Sequence, residues 1–141
     1  MPYVLEQAKK CTETGLPMVR AMFIEYPDDP VAWMVEDQYL FGSDILVAPI
    51  FDTPQDYDVK PIRNEGKPTT GLRHWTRKVY LPGGQWVDYQ TGKVYKPGWN
   101  DITTADLEAV ILVRKGAVIP TVPVAQSTKD IDWNAVKNIK Y

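Results

Sequence analysis

Hydrophobic positions follow two different periods along the chain. After Pro2, the segment YVLEQAKKCTETG places Val4, Leu5, Ala8 and Cys11 at helical spacing, with a proline tolerated in a first turn and Gly15 suited to a left-handed cap. A helix with one apolar stripe needs a surface to lie on. MVRAMFIEY, after Pro17, is β-prone without clean alternation, as expected of a strand covered on both faces or ending at a bend. PDDP then stops the strand, its acids placed to bond nearby turn amides. VAWMVEDQYLFG sets Val31, Met34, Val35, Gln38 and Tyr39 on one helical face, so a short helix ending at Gly42 is expected. ILVAPIF is an apolar run that reads as a buried strand, with Pro49 near its end.

Residues 52–76 turn polar and irregular, with several breakers, and read as a long surface insertion. In RKVYLPGGQWVDYQTGKVYKPG, Pro82-Gly83-Gly84 and Thr91-Gly92 separate three short segments that look like a meander of hairpins. ADLEAVILVRKGAVIPTV repeats the scheme, with a strand through Leu112, a turn at Lys115-Gly116 and a second strand ended by Pro120. The tail from Pro123 has a polar linker and alternating segments fit to begin another sheet. The prediction is a mainly β chain, an antiparallel β-sandwich preceded by one α-helix.

Composition narrows the function classes. A chain of 141 residues can bury roughly 70% of the surface its unfolded form exposes, so a core without metals or disulfides is expected. The 16 basic and 18 acidic residues leave no excess positive charge for a phosphate backbone or an anionic membrane, so neither nucleic acid nor membrane is an expected partner. Cys11 is the only cysteine, which excludes an internal disulfide and leaves the compartment unassigned. No apolar run reaches the ~20 residues of a membrane helix, and the N-terminus lacks signal-peptide layout, so a soluble chain is expected. The 12 prolines favour the β-rich reading.

GLPMVRAMFIEYPDDP, DQYLFGSDILVAPIF, VYLPGGQWVDYQTG and LVRKGAVIP, in this order and spacing, resemble the C-terminal part of glycoside hydrolase family 31 enzymes, the retaining α-glucosidases and α-xylosidases. The resemblance runs from about Tyr3 to Pro120 and implies that residues 1–15 are the last helix of a catalytic barrel. Residues 16–121 would be a proximal β-sandwich, and residues 122–141 the linker and start of a distal β-domain. Family catalysis uses two barrel Asp residues, a nucleophile and an acid/base, with no metal or organic cofactor. Trp33-Met34-Val35-Glu36-Asp37 superficially mimics the nucleophile's motif but lies after the PDDP block, beyond the barrel. The active-site His motif is also missing, since His74 stands in LRHW. No catalytic residue is therefore assigned, and alone these residues are expected not to hydrolyse glycosides. The expected partner is the barrel, covering Val4, Leu5 and Ala8. Without it, self-association or a loosely held first helix is expected.

Some residues carry competing readings. Glu25, Asp28, Asp29, Glu36, Asp37 and Asp44 are dense enough to contain a retaining pair about 5 Å apart; in the alternative reading Asp28 and Asp29 cap a turn, Asp44 opens a strand, and Asp37 with Gln38 bonds to backbone or to Arg20. Arg20 sits in an apolar strand and needs a carboxylate; Asp37 is the candidate for a structural ion pair, with a substrate clamp as the alternative. Trp75, Trp86, Trp99 and Trp133 could offer flat faces to sugar rings, as in a carbohydrate-binding module. Trp86 alternates within a strand and reads as core or sheet surface, whereas Trp75 and Trp99, beside loops, are the sugar-binding candidates. Cys11 reads as a small buried residue. His74 has no second ligand at metal spacing, and Gly83-Gly84 lacks a phosphate-binding context.

Overall fold

A single glycine decides how the helix meets the sheet. The computed structural model describes residues 1–51, 74–105 and 107–141. Helix α1 (Pro2–Thr14) starts on its proline and ends at Gly15, whose φ of 74° is left-handed and whose N–H donates to the Cys11 carbonyl at 2.9 Å. The helix docks through Tyr3 and Gln7, one turn apart, both buried. The Tyr3 hydroxyl donates to the Phe41 carbonyl at 2.9 Å. Gly42, at φ 67°, leaves the room: a Cβ there would fall against the Tyr3 hydroxyl and 2.6 Å from the Gln7 amide oxygen. The predicted stripe takes no central part in this contact. Leu5 is 45% exposed, with Val4, Ala8 and Cys11 half-buried.

The strands are β1 (Val19–Arg20), β2 (Tyr39–Phe41), β3 (Ile45–Pro49), β4 (His74–Leu81), β5 (Trp86–Asp88), β6 (Val94–Tyr95), β7 (Gly98–Ala105), β8 (Ala109–Arg114), β9 (Val118–Thr121) and β10 (Lys137–Lys140). Among the described residues all strand pairs are antiparallel, with a six-stranded sheet ordered β1-β2-β3-β8-β5-β6 and two-stranded sheets β4-β7 and β9-β10. Leu40, Leu46 and Leu112 from the large sheet meet Val79, Leu81 and Ile102 from β4 and β7 in one core. The opposite face carries Val113, Ile45 and Phe41, covered by Tyr3 and Ile119. Strands β3 and β8 thus have apolar neighbours on both faces, which is why ILVAPIF reads as an unbroken apolar run.

Three local expectations are corrected. MVRAMFIEY is not one strand: β1 is two residues long, and α2 (Met22–Glu25) follows it. The helical turn brings Glu25 back to Arg20; in an extended strand, five residues on, it would stand about 16 Å away. The helix expected to end at Gly42 is a single turn, closed by Val35 N–H to the Val31 carbonyl at 3.2 Å, followed by β2. Gly42 instead turns β2 into β3, and Asp44 does immediately precede that strand. The expected meander is also re-paired. At Pro82-Gly83-Gly84 the chain crosses between sheets, so β4 pairs with β7, and only β5-β6 is a hairpin in that stretch.

The insertion expected over residues 52–76 lies outside the described residues up to 73, and the backbone of 74–76 already belongs to β4. In the tail, β10 pairs back onto β9, a strand within residues 16–121, in a two-stranded sheet. No helix among the described residues is long and apolar enough to cross a membrane.

Gly42→Ala should cost more stability than Gly15→Ala. Both positions are left-handed, but only residue 42 would also press a Cβ into a neighbour. The expected losses are roughly 1 kcal/mol at Gly15 and 2–4 kcal/mol at Gly42, read from urea midpoints at unchanged slope.

Candidate functional site

Arg20 reaches inward from β1, where an unpaired guanidinium would be costly. Its partner is Glu25, at 3.1 Å, and not Asp37 as the sequence suggested. Asp37 pairs with Arg77 of β4, which also donates to the Pro49 carbonyl. The two acids serve different sides of the fold: Glu25 returns on α2 toward the Gly42 turn, and Asp37 ties the start of β2 to the facing sheet. Arg114 extends the first pair into a network. Its guanidinium lies 4.0 Å from Glu25 and 3.9 Å from Asp44, and donates to the Ser43 carbonyl at 2.6 Å. It also lies over the Tyr26 and Trp86 rings at 5.5 and 5.6 Å.

Glu25 and Asp44 therefore share one guanidinium. Asp29 accepts from the Val31 N–H at 3.0 Å and from the Tyr80 hydroxyl at 2.7 Å. These acids hold backbone and partner groups in place. Beside β1 lies an open cleft of about 580 Å³, lined in part by Val19, Glu36, Asp37, Tyr39 and Phe51. Among the described residues no three His, Cys, Asp or Glu side chains converge as a metal set would.

Gln38, read in sequence as bonding with Asp37 to backbone or to Arg20, is bonded to the backbone of Tyr80. It is buried, its amide N–H donates to the Tyr80 carbonyl at 2.6 Å, and its amide oxygen accepts from the Tyr80 N–H at 2.9 Å. The side chain thus acts as a one-residue neighbour for the edge of β4, satisfying a backbone pair that β7 does not reach. Its place on an expected helix face gave no sign of which strand's backbone it would meet.

The tryptophans divide sharply. Trp75 is only 5% exposed and is corrected from a sugar candidate to a core residue, because the period-two face of β4 carries it inward with Val79 and Leu81. The alternation in WTRKVYL was the available signal. Trp86 is fully buried, its indole donating to the Pro82 carbonyl at 2.9 Å. Trp99 is 56% exposed and leans on Tyr80, ring centroids 5.3 Å apart. Trp33, set aside in sequence as part of a mimicked motif, is 58% exposed and stacked on Phe23 at 4.5 Å and 16°. Trp133 is exposed in the tail.

Burial pushes the Tyr3 hydroxyl up to about 12, with the negative charge of Asp44 adding to the shift. Tyr80 is likewise pushed up to about 12, by burial and then by its bond to Asp29. A raised folded-state value favours the protonated form in the folded protein.

Residues 15–119 match the glycosyl hydrolase family 31 C-terminal domain. Along 99% of its length the chain is 34% identical to alpha-glucosidase 2 of Bacillus thermoamyloliquefaciens, and covers 15% of that protein. It is also 34% identical to alpha-xylosidase XylQ of Lactiplantibacillus pentosus, over 94% of this chain and 16% of that protein. A solved dextranase from Flavobacterium johnsoniae, complexed with glucose, superposes with a TM-score of 0.69 at 30% identity, over 92% of this chain and 14% of that one. The fold is thus that of a family 31 C-terminal β-sandwich, and the chain belongs to glycosyl hydrolase family 31. It spans about 15% of the length of these two relatives.

Gln38→Ala should lower stability by about 2–3 kcal/mol, since it leaves both Tyr80 backbone groups without their partner; chemical denaturation measures it. Alkali provides a second check. The stability tied to Tyr3 and Tyr80 is complete below pH 10 and lost as pH rises toward 12. Tyr3→Phe should flatten that part of the pH–stability curve.

Proposed function

We propose that this chain is the proximal C-terminal β-sandwich of a retaining α-glycosidase and that it acts as a scaffold for the catalytic barrel. In this reading residues 1–15 are the barrel's last helix, residues 16–121 the sandwich, and residues 122–141 the linker toward a distal β-domain. The parent enzyme removes terminal α-linked glucose or xylose through two barrel Asp residues. The names of the alpha-glucosidase and alpha-xylosidase relatives support that substrate class.

The observation that carries the scaffold reading is the two-sided character of α1. Its Tyr3–Gln7 face is fixed to the Phe41–Gly42 backbone, while Leu5 and the flanks of Val4 and Ala8 stay open to a second layer. A helix held in this way transmits the position of the sandwich to whatever packs on its other side. The carboxylates near it serve arginines and backbone amides, which fits a region that supports chemistry elsewhere.

The test is deletion from the parent enzyme of the region corresponding to residues 16–121. Loss of soluble, active enzyme is expected. Full expression with normal turnover contradicts a scaffold role.

A further inference from the structure

Two exposed indoles are linked to one turn, Trp33 directly and Trp99 through Tyr80. The Trp33 indole N–H donates to the Pro27 carbonyl at 2.8 Å, and one face of the ring is stacked on Phe23. With that face covered, its 58% exposure belongs to the opposite face and the ring edge. Two residues along the turn, Asp29 accepts the Tyr80 hydroxyl, and Trp99 leans against the Tyr80 ring. Both rings thus connect to the Pro27–Pro30 turn, Trp99 by way of Tyr80 and Asp29, and Asp28 is exposed on it.

We infer that this surface binds a neutral oligosaccharide chain of the kind the parent enzyme acts on, with one sugar ring stacked on Trp33 and another against Trp99. The inference rests on the α-glycosidase reading for the class of sugar. The physical basis is the polarity of a pyranose: its C–H face is apolar and weakly positive, and it matches the negative face of an indole. Trp33 is held by a hydrogen bond and a stack before any ligand arrives, so little side-chain freedom is lost on binding. Asp28 on the turn, and Glu36 three residues after Trp33, are exposed carboxylates able to accept sugar hydroxyls. Trp75, the other sugar candidate from sequence, is buried and takes no part.

Titration of the 141-residue chain with isomaltotriose, and separately with an α-xylosyl oligosaccharide, followed by calorimetry and indole fluorescence, tests the inference. Saturable binding at millimolar sugar is expected, weakened at least about tenfold by Trp33→Ala and by Trp99→Ala. Trp133→Ala, in the tail, should leave it unchanged. Circular dichroism of each variant separates lost binding from lost folding, and Trp33→Phe, which keeps an aromatic face, should retain part of the affinity in a folded chain. Absence of saturable binding, or binding indifferent to both substitutions, overturns the proposal. So does a dimer in light scattering that Trp33→Ala dissolves, because the platform is then a contact between copies. Deletion of the sandwich from the parent reports on the scaffold role independently of either result.

Discussion

Residue 42 must be left-handed and must carry no side chain, because Tyr3 and Gln7 of α1 occupy the space where a Cβ would stand. Much of the structure meets at that point. The same turn reverses β2 into β3, presents the Phe41 carbonyl to Tyr3 and the Ser43 carbonyl to Arg114, and sets Asp44 beside the guanidinium. Helix, central sheet and charge network therefore share one short backbone segment. Moving the helix outward would break the hydrogen bond and uncover the lower apolar cluster at the same time.

The second sheet is attached by different chemistry. The core between the sheets is aliphatic, but its edge is fixed by Gln38 on Tyr80 and by Arg77 between Asp37 and Pro49. Apolar packing holds the layers together without defining their register, whereas a bidentate amide accepts only one placement along β4. The residues from Tyr26 to Tyr39 thus bridge the sheets, and that bridge also presents Trp33. Support and surface display come from the same segment.

Elements governed by local rules were legible in the sequence. Pro2 and Gly15 bracket α1, ILVAPIF and AVILVR are buried strands, and Gly116 makes the turn after β8. The order of the four motif blocks matched the family seen by comparison. Features governed by distant partners were not legible. Gln38 lay on an acceptable helical face, and only Tyr80, 42 residues away, makes the strand the better solution. Arg20 visibly needed an acid, yet the choice of Glu25 over Asp37 depends on α2, whose single turn leaves no periodic trace. Trp75 was misjudged because its neighbours look like a loop, although WTRKVYL alternates. Trp33 was obscured by its resemblance to a catalytic motif.

A sheet whose β2–β3 turn is shaped around a helix has to unfold with that helix. Native-state hydrogen exchange of the 141-residue chain measures this directly, by comparing opening free energies of α1 amides with those of β3 and β8. The central amides of α1, from about Glu6 to Lys10, should open with the same free energy as the sheet and in the same cooperative unit. Exchange of those amides far ahead of the sheet, with β3 and β8 still protected, would show the helix to be held independently of it.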